Sequence, residues 1–286
     1  MLWILLVLLY GLLKGGREIA KKKAMERNSV MEVLVVYTLL SFLMVLPQIP
    51  ELRRDGSLET KYFFYIALKS FVMFLAWICG FRSLKKMPVS LYGVLSLSRV
   101  LFGTFLGIAF LGETLDFLQS VGLVIVCAGL LMLKIEPKKL NTQNEKVPAI
   151  FIILAFASCV LNAISGFMDK ILMKNVTSAQ LQFWYMLFLV IYYGIYVLIT
   201  RQKITASVFK NPWVWALAVM FVIGDKALFI ANGMSQSRIT IMTLIKQSSC
   251  IVTIIGGRIF FKETRIAYKV LCAAIVISGI LLGIYG

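Results

Sequence analysis

Two pentapeptides set 150 residues apart decide the fold: Phe110-Leu111-Gly112-Glu113-Thr114 and Phe260-Phe261-Lys262-Glu263-Thr264. Each closes a long apolar run, turns over a few residues and leads into another apolar run, over 115–133 in the first case and 266–285 in the second. Thr114 and Thr264 are placed to cap the helices that follow. Glu113 and Glu263 suit the positive end of a helix dipole, which accounts for them more simply than catalysis does. The same offset aligns Ser98 with Ser248, Gly129 with Gly279 and Gly16 with Gly166.

Outward from these turns, apolar runs follow one another along the whole chain. They cover 1–16, 30–48, 62–81, 88–112, 115–133, 148–169, 178–200, 212–233, 239–261 and 266–285. Each is close to the roughly 20 residues needed to cross about 30 Å of hydrocarbon. Being continuous rather than alternating, they read as helices, not barrel strands. Pro88 and Pro212 stand where a first-turn proline is tolerated. The expectation is an all-α membrane protein of ten transmembrane helices. Residues 1–133 form one five-helix repeat, 134–147 a polar linker and 148–286 a second five-helix repeat. Five spans being an odd number, the second copy must lie upside down in the membrane, and in such inverted repeats the substrate site lies near the midplane. Span one begins at Met1 without a basic leader or a small-residue cleavage site, so it is expected to stay in the mature protein.

Composition agrees. A chain that is 60% apolar and 15% charged cannot bury that much hydrocarbon in a soluble core. A net charge of +17 without a charged face excludes a nucleic-acid binder. There is no histidine, and the five cysteines are scattered through apolar runs. No phosphate-binding glycine loop, metal-ligand cluster or nucleophile–base arrangement appears, so no cofactor, metal or catalytic role is expected.

The chain resembles the drug/metabolite transporter superfamily, of the EamA type. The resemblance is carried by the two turn motifs and by the glycine-containing runs Gly122 to Leu133 and Ile275 to Gly286. It implies a ten-helix chain of two five-helix copies, a place in the cell membrane, transport without ATP, and a possible homodimer through helices five and ten. The second motif departs from the family form, having Lys262 where glycine is usual, and span one lacks the usual Trp and Asn pattern.

Loop cations concentrate after odd-numbered spans, as in Arg17, Lys21, Lys22, Lys23 and Arg27 after span one. The positive-inside rule therefore places odd connections in the cytoplasm and both termini outside; the family resemblance implies termini inside. Six cations lie within spans: Lys14, Lys69, Arg99, Lys226, Lys246 and Arg258. Each costs at least about 2.5–3.5 kcal/mol at the bilayer centre, so such residues face the bundle interior or water. Lys14 and Arg258 lie close enough to span ends to snorkel instead.

Helical spacing places the deeper ones on polar stripes. Span nine aligns Thr243, Lys246, Cys250, Thr253 and Gly257, with Gln247 beside Lys246. Span four aligns Tyr92, Ser96, Arg99 and Gly103, and span six aligns Ser158, Asn162, Ser165 and Asp169. Small and hydroxylated residues also occur where membrane helices simply approach closely. The candidate substrate-binding residues are Lys246, Arg99, Gln247, Tyr92, Ser96, Thr243, Lys226, Asn162 and Lys69. Asp169 and Asp225 are candidates for ion coupling or charge pairing, Asp225 with Lys246 or Arg99. The cation excess, centred on Arg99, Lys226 and Lys246, points to a small anionic or zwitterionic metabolite. Tyr185, Tyr192 and Tyr196 on one side of span seven would instead suit a cationic cargo. A flippase for a lipid-linked phosphate or sugar phosphate is the alternative, with membrane lipid as partner.

Overall fold

A computed structural model of the chain describes residues 2–89, 92, 95–96, 98–112, 114–134, 148–262 and 266–285, and every regular element among them is helical. In chain order these are α1 (Leu2–Ala24), α2 (Val30–Val45), α3 (Ile49–Arg54), α4 (Thr60–Lys86), α5 (Ser98–Leu111), α6 (Phe117–Lys134), α7 (Ala149–Leu172), α8 (Ser178–Thr200), α9 (Pro212–Gly233), α10 (Ile239–Ile245), α11 (Ser249–Phe261) and α12 (Ile266–Tyr285). Six stretches are long and apolar enough to cross a membrane: 30–54, 60–86, 149–172, 178–200, 212–233 and 239–261. α1 misses that criterion because it carries charge through its second half, and the apolar helices 98–111 and 117–129 are shorter. The protein is therefore an integral membrane protein. Linker residues 135–147, Glu113, Glu263 and Thr264 lie outside the described residues, while Lys134 ends α6.

Local chemistry sets the helix ends. Ser29 and Glu32 form a reciprocal capping box on α2, and Thr177 and Gln180 form another on α8. The Asn211 side chain accepts from Trp213 N at 3.0 Å, with Pro212 in the first turn of α9. Such caps satisfy amides that a bilayer cannot. Thr114 does not cap α6 as expected: Asp116 stands at that end, its amide donating to Gln119 Oε1 at 3.3 Å and its carbonyl accepting from Ser120 Oγ at 3.1 Å. The two turn motifs do share a backbone shape. Gly112 (φ 65°) and Lys262 (φ 52°) are both left-handed, so the lysine accepts a conformation that costs an L-residue about 1 kcal/mol or more.

The apolar stretch 239–261 is not one continuous α-helix. α10 gives way to a tight 3₁₀ turn at Lys246–Ser248 before α11 resumes. Earlier by 150 residues, helical turns through Tyr92 (Tyr92 N to Pro88 O, 3.0 Å; Ser96 N to Tyr92 O, 2.9 Å) give way to a turn at Ser96 before α5 starts at Ser98. Both breaks fall midway along apolar runs, at corresponding positions.

Packing follows the same shift. α1 lies against α9 and α11, α4 against α7 and α8, α2 between α8 and α9, α5 against α7 and α10, and α6 against α12. Moving every element on by 150 residues turns α1·α9 into α7·α4, α1·α11 into α7·α5, and α2·α9 into α8·α4, while α2·α8 and α6·α12 map onto themselves. Small residues permit the closest approaches. A Cβ on Gly122 would stand 2.6 Å from the Gly279 carbonyl, and one on Gly279 would stand 2.8 Å from the Gly122 carbonyl. α6 and α12 thus use their glycine faces on each other, leaving Val124, Leu131, Leu271 and Leu281 facing outward.

Candidate functional site

α1 supplies the spine of the site. Sequence reading ends its span at residue 16, but the helix runs to Ala24 without interruption, so Arg17, Glu18 and Lys21 belong to the bundle and not to a loop. Gly11 and Gly15 make this possible. A Cβ on Gly11 would stand 2.2 Å from Ser248 Oγ, and one on Gly15 would stand 2.6 Å from the Ser249 carbonyl, so α1 presses its backbone against the break in the α10–α11 helix. Tyr10, Lys14, Arg17 and Lys21 then follow at spacings of 4, 3 and 4, which keeps them on one face.

That face opens on a small cavity of about 60 Å³, walled by Tyr10, Lys14, Arg17, Glu18 and Lys21 of α1, Trp77, Gly80 and Phe81 of α4, Ser158 and Asn162 of α7, Phe221 and Asp225 of α9, and Tyr37, Tyr92 and Arg99. Its floor is aromatic. Trp77 lies 5.2 Å from Tyr37 and 5.1 Å edge-on to Phe221, ring centre to ring centre. A second chamber of only about 20 Å³ shares Lys14, Glu18, Tyr92 and Arg99 and adds Ser96, Gln247, Ser249, Cys250 and Thr253. The two chambers meet at Lys14 and Arg99, beside both helix breaks.

Charges on these walls do not balance. Arg17 Nη1 lies 3.1 Å from Asp225 Oδ1, and Lys21 Nζ lies 2.8 Å from Glu18 Oε1. Lys14 and Arg99 have no carboxylate partner among the described residues, and Arg99 Nε is buried without a hydrogen-bond acceptor. The Arg17 guanidinium is also flanked by the Tyr10 and Phe221 rings at 5.0 and 5.2 Å. The walls therefore carry two basic side chains, Lys14 and Arg99, beyond those paired with acids.

The expected residues divide into three groups. Arg99, Tyr92, Ser96, Gln247, Asn162 and Asp225 come together on the chamber walls. Asn162 Nδ2 donates to the Ser158 carbonyl at 2.7 Å, and Gln247 Nε2 donates to the Thr243 carbonyl at 3.1 Å. Lys246 and Thr243 lie just behind the walls: the Lys246 ammonium sits 5.6 Å from the Tyr10 ring centre, and the Thr243 hydroxyl is spent on the Ile239 carbonyl at 2.7 Å. Lys69 and Asp169 form a separate buried pair at 2.8 Å.

Four expectations are overturned. Lys226 adds nothing to the buried surplus, because one residue along a helix turns about 100°. Asp225 faces inward while Lys226 reaches Gln48 Oε1 at 2.9 Å and Glu51 Oε2 at 3.0 Å on the half-exposed rim. Asp225 pairs with Arg17 rather than Lys246 or Arg99. Lys14 does not snorkel; it is 5% exposed and faces the cavity, whereas Arg258 is exposed at the end of α11. Nor do the α8 tyrosines form an open cation cage. Tyr185 already covers Lys69 at 3.4 Å, the Tyr192 hydroxyl donates to the Ala67 carbonyl at 3.1 Å, and the Tyr196 hydroxyl accepts from Arg82 at 3.2 Å.

Sequence reading missed Arg17 and Lys21 as site residues, although their stripe with Tyr10 and Lys14 has the same spacing that marked the other helices. The signal was present and was masked by placing the span end at Gly16.

Residues 1–135 match the EamA-like transporter family. No curated protein matches the chain. Among solved structures, 28 chains match; one, a crystal structure of a protein, aligns over 98% of this chain and 95% of its own at 12% identity with a TM-score of 0.74. At that identity the likeness is one of fold.

Proposed function

With its first 135 residues matching the EamA-like transporter family, we propose that the protein is a secondary transporter of a small anionic or zwitterionic metabolite in the cell membrane. The observation that carries this reading is the pair Lys14 and Arg99 on the shared wall of two chambers, neither matched by a carboxylate among the described residues. A carboxylate, phosphate or phosphonate between them would complete the charge balance. Arg99 offers a forked contact and Lys14 a compact one, while Asn162, Tyr92 and Gln247 supply polar neighbours.

Ten spans in two inverted five-helix copies is the architecture that best accounts for the fold. The paired helix breaks near Ser96 and Lys246, the matched left-handed turns at Gly112 and Lys262, and the exchange of helix contacts under one shift support it. In this arrangement the halves rock about a fixed site, so that it faces each side in turn. The cavity is lined by the ends of α1 and α4 nearest the odd-numbered connections. Toward the even-numbered connections the bundle is tied shut: Gln48 Nε2 donates to Gln182 Oε1 at 3.0 Å, Gln182 Nε2 to the Val222 carbonyl at 2.8 Å, and Lys170 Nζ to the Ser237 carbonyl at 2.6 Å. These bonds fit a state closed on one side.

The test is uptake by purified protein in liposomes, measured for labelled carboxylate, phosphate, zwitterionic and cationic metabolites. Uptake of anions or zwitterions that needs Arg99 supports the reading, and uptake confined to cations overturns it.

A further inference from the structure

Lys14, Glu18, Tyr92 and Arg99 line both chambers of the cavity. Glu18 is the carboxylate of that set, and only half of it is engaged. Its Oε1 accepts from Lys21 at 2.8 Å, while Oε2 is buried and has no hydrogen-bond partner among the described residues. Lys14 stands one turn earlier on α1 without pairing with it, and Arg17 is turned to Asp225 at 3.1 Å. A carboxylate oxygen kept from water without a donor is costly, and buried polar atoms in folded proteins are nearly always satisfied.

The shared wall therefore carries unmet capacity of both signs: Arg99 Nε and the unpaired Lys14 ammonium as donors, Glu18 Oε2 as acceptor. A simple acid answers the donors and leaves Oε2 as it is. An acid with an amine on the neighbouring carbon answers both. The space agrees, since chambers of about 60 and 20 Å³ hold roughly six water-sized groups, enough for an acid group, the adjacent carbon and its amine. We propose that Glu18 is the specificity-determining residue of this cavity, its Oε2 accepting from an ammonium carried beside the acidic group of the cargo. The proposal rests on the reading of the cavity as an anion or zwitterion site, and within that reading it selects an amine-bearing acid. Glu18 then holds one ammonium on each oxygen, that of Lys21 and that of the cargo. A hydroxyl in the same place is the weaker partner, because charge-assisted hydrogen bonds are about twice as strong as neutral ones.

The test uses purified full-length protein in liposomes and takes as signal the uptake that Arg99→Gln abolishes. Three series of labelled acids differ only in bearing an amine, a hydroxyl or hydrogen beside the acid: alanine, lactate and propionate; aspartate, malate and succinate; aminomethyl-, hydroxymethyl- and methylphosphonate. In each series that is transported, the amine member is expected to exceed the other two by roughly tenfold or more in kcat/KM. Glu18→Gln, verified as folded by its unfolding temperature, should bring the three members close to parity. A purely structural role for Glu18 would lower all three together and keep their ratio. Equal Arg99-dependent uptake with and without the amine in the wild type overturns the proposal while leaving the anion site standing, and so does hydroxyl matching amine or an undiminished preference in folded Glu18→Gln. Absence of Arg99-dependent uptake in every series overturns the anion site itself and the role of Glu18 with it.

Discussion

Lys69 Nζ lies 2.8 Å from Asp169 Oδ1, joining α4 to α7 with the two side chains only 2% and 7% exposed. The ammonium also rests 3.4 Å from the centre of the Tyr185 ring and 4.8 Å from that of Phe229. A buried pair of this kind is worth little against an apolar substitute, but breaking it is costly because one charge is left behind. Lys69→Met is expected to lower stability by about 3–5 kcal/mol, and Lys69→Met/Asp169→Leu to regain most of that. Thermal unfolding in detergent of the two variants beside the wild type measures the difference; a single variant as stable as the double would show that the pair is not closed.

Arg99 and Lys14 predict the opposite pattern. Neither has an acid partner among the described residues, so Arg99→Gln and Lys14→Gln should leave the unfolding temperature unchanged or raised while anion uptake falls by tenfold or more, about 1.4 kcal/mol or beyond in transition-state terms. Lys246→Gln, one ring removed from the cavity, should lose less than Arg99→Gln. Liposome uptake and unfolding temperature on the same preparations check this.

Lys170 ties the end of α7 to the chain that follows α9. Its ammonium donates to the carbonyls of Asn232 at 3.2 Å, Met234 at 3.4 Å and Ser237 at 2.6 Å, and to the Ser237 hydroxyl. Lys170→Met removes the donor from carbonyls at the end of α9, at a cost of about 1–3 kcal/mol. The expected outcome is faster amide hydrogen exchange over residues 232–238, with α6 and α12 unaffected.

The contact of α6 with α12 leaves no room for a side chain. Gly122→Leu should therefore destabilise by about 1–3 kcal/mol or more through overpacking, whereas Gly194→Ala, where nothing lies within 4 Å of an added Cβ, should be close to neutral. Unfolding temperature distinguishes the two.

Much of this was legible from residue order alone. The apolar runs, the matched turns at Gly112 and Lys262, and the polar stripe through Tyr92, Ser96 and Arg99 are one-dimensional signals, set by helix period and bilayer thickness. Pairing was not legible, because it depends on which faces meet across 208 residues, as for Arg17 and Asp225. Gly15 and Gly16 misled for a physical reason: glycine ends helices when solvated, but in a bilayer it more often brings two backbones together, as Gly15 does against Ser249. Adjacent Asp225 and Lys226 show the limit of counting charges, since neighbours on a helix serve different compartments.

The cationic stripe of α1 has no counterpart in the other half. Shifted by 150 residues, Lys14, Arg17 and Lys21 correspond to Ile164, Phe167 and Ile171, and Arg99 corresponds to Ser249. A rocking motion between mirror-related shapes would thus carry an anion from a charged vestibule to one walled by aliphatic and aromatic groups. The two orientations would differ in how long they retain the same cargo, a difference balanced by the equilibrium between them, so that asymmetry would set the concentrations at which each side saturates while net flux follows the imposed gradient.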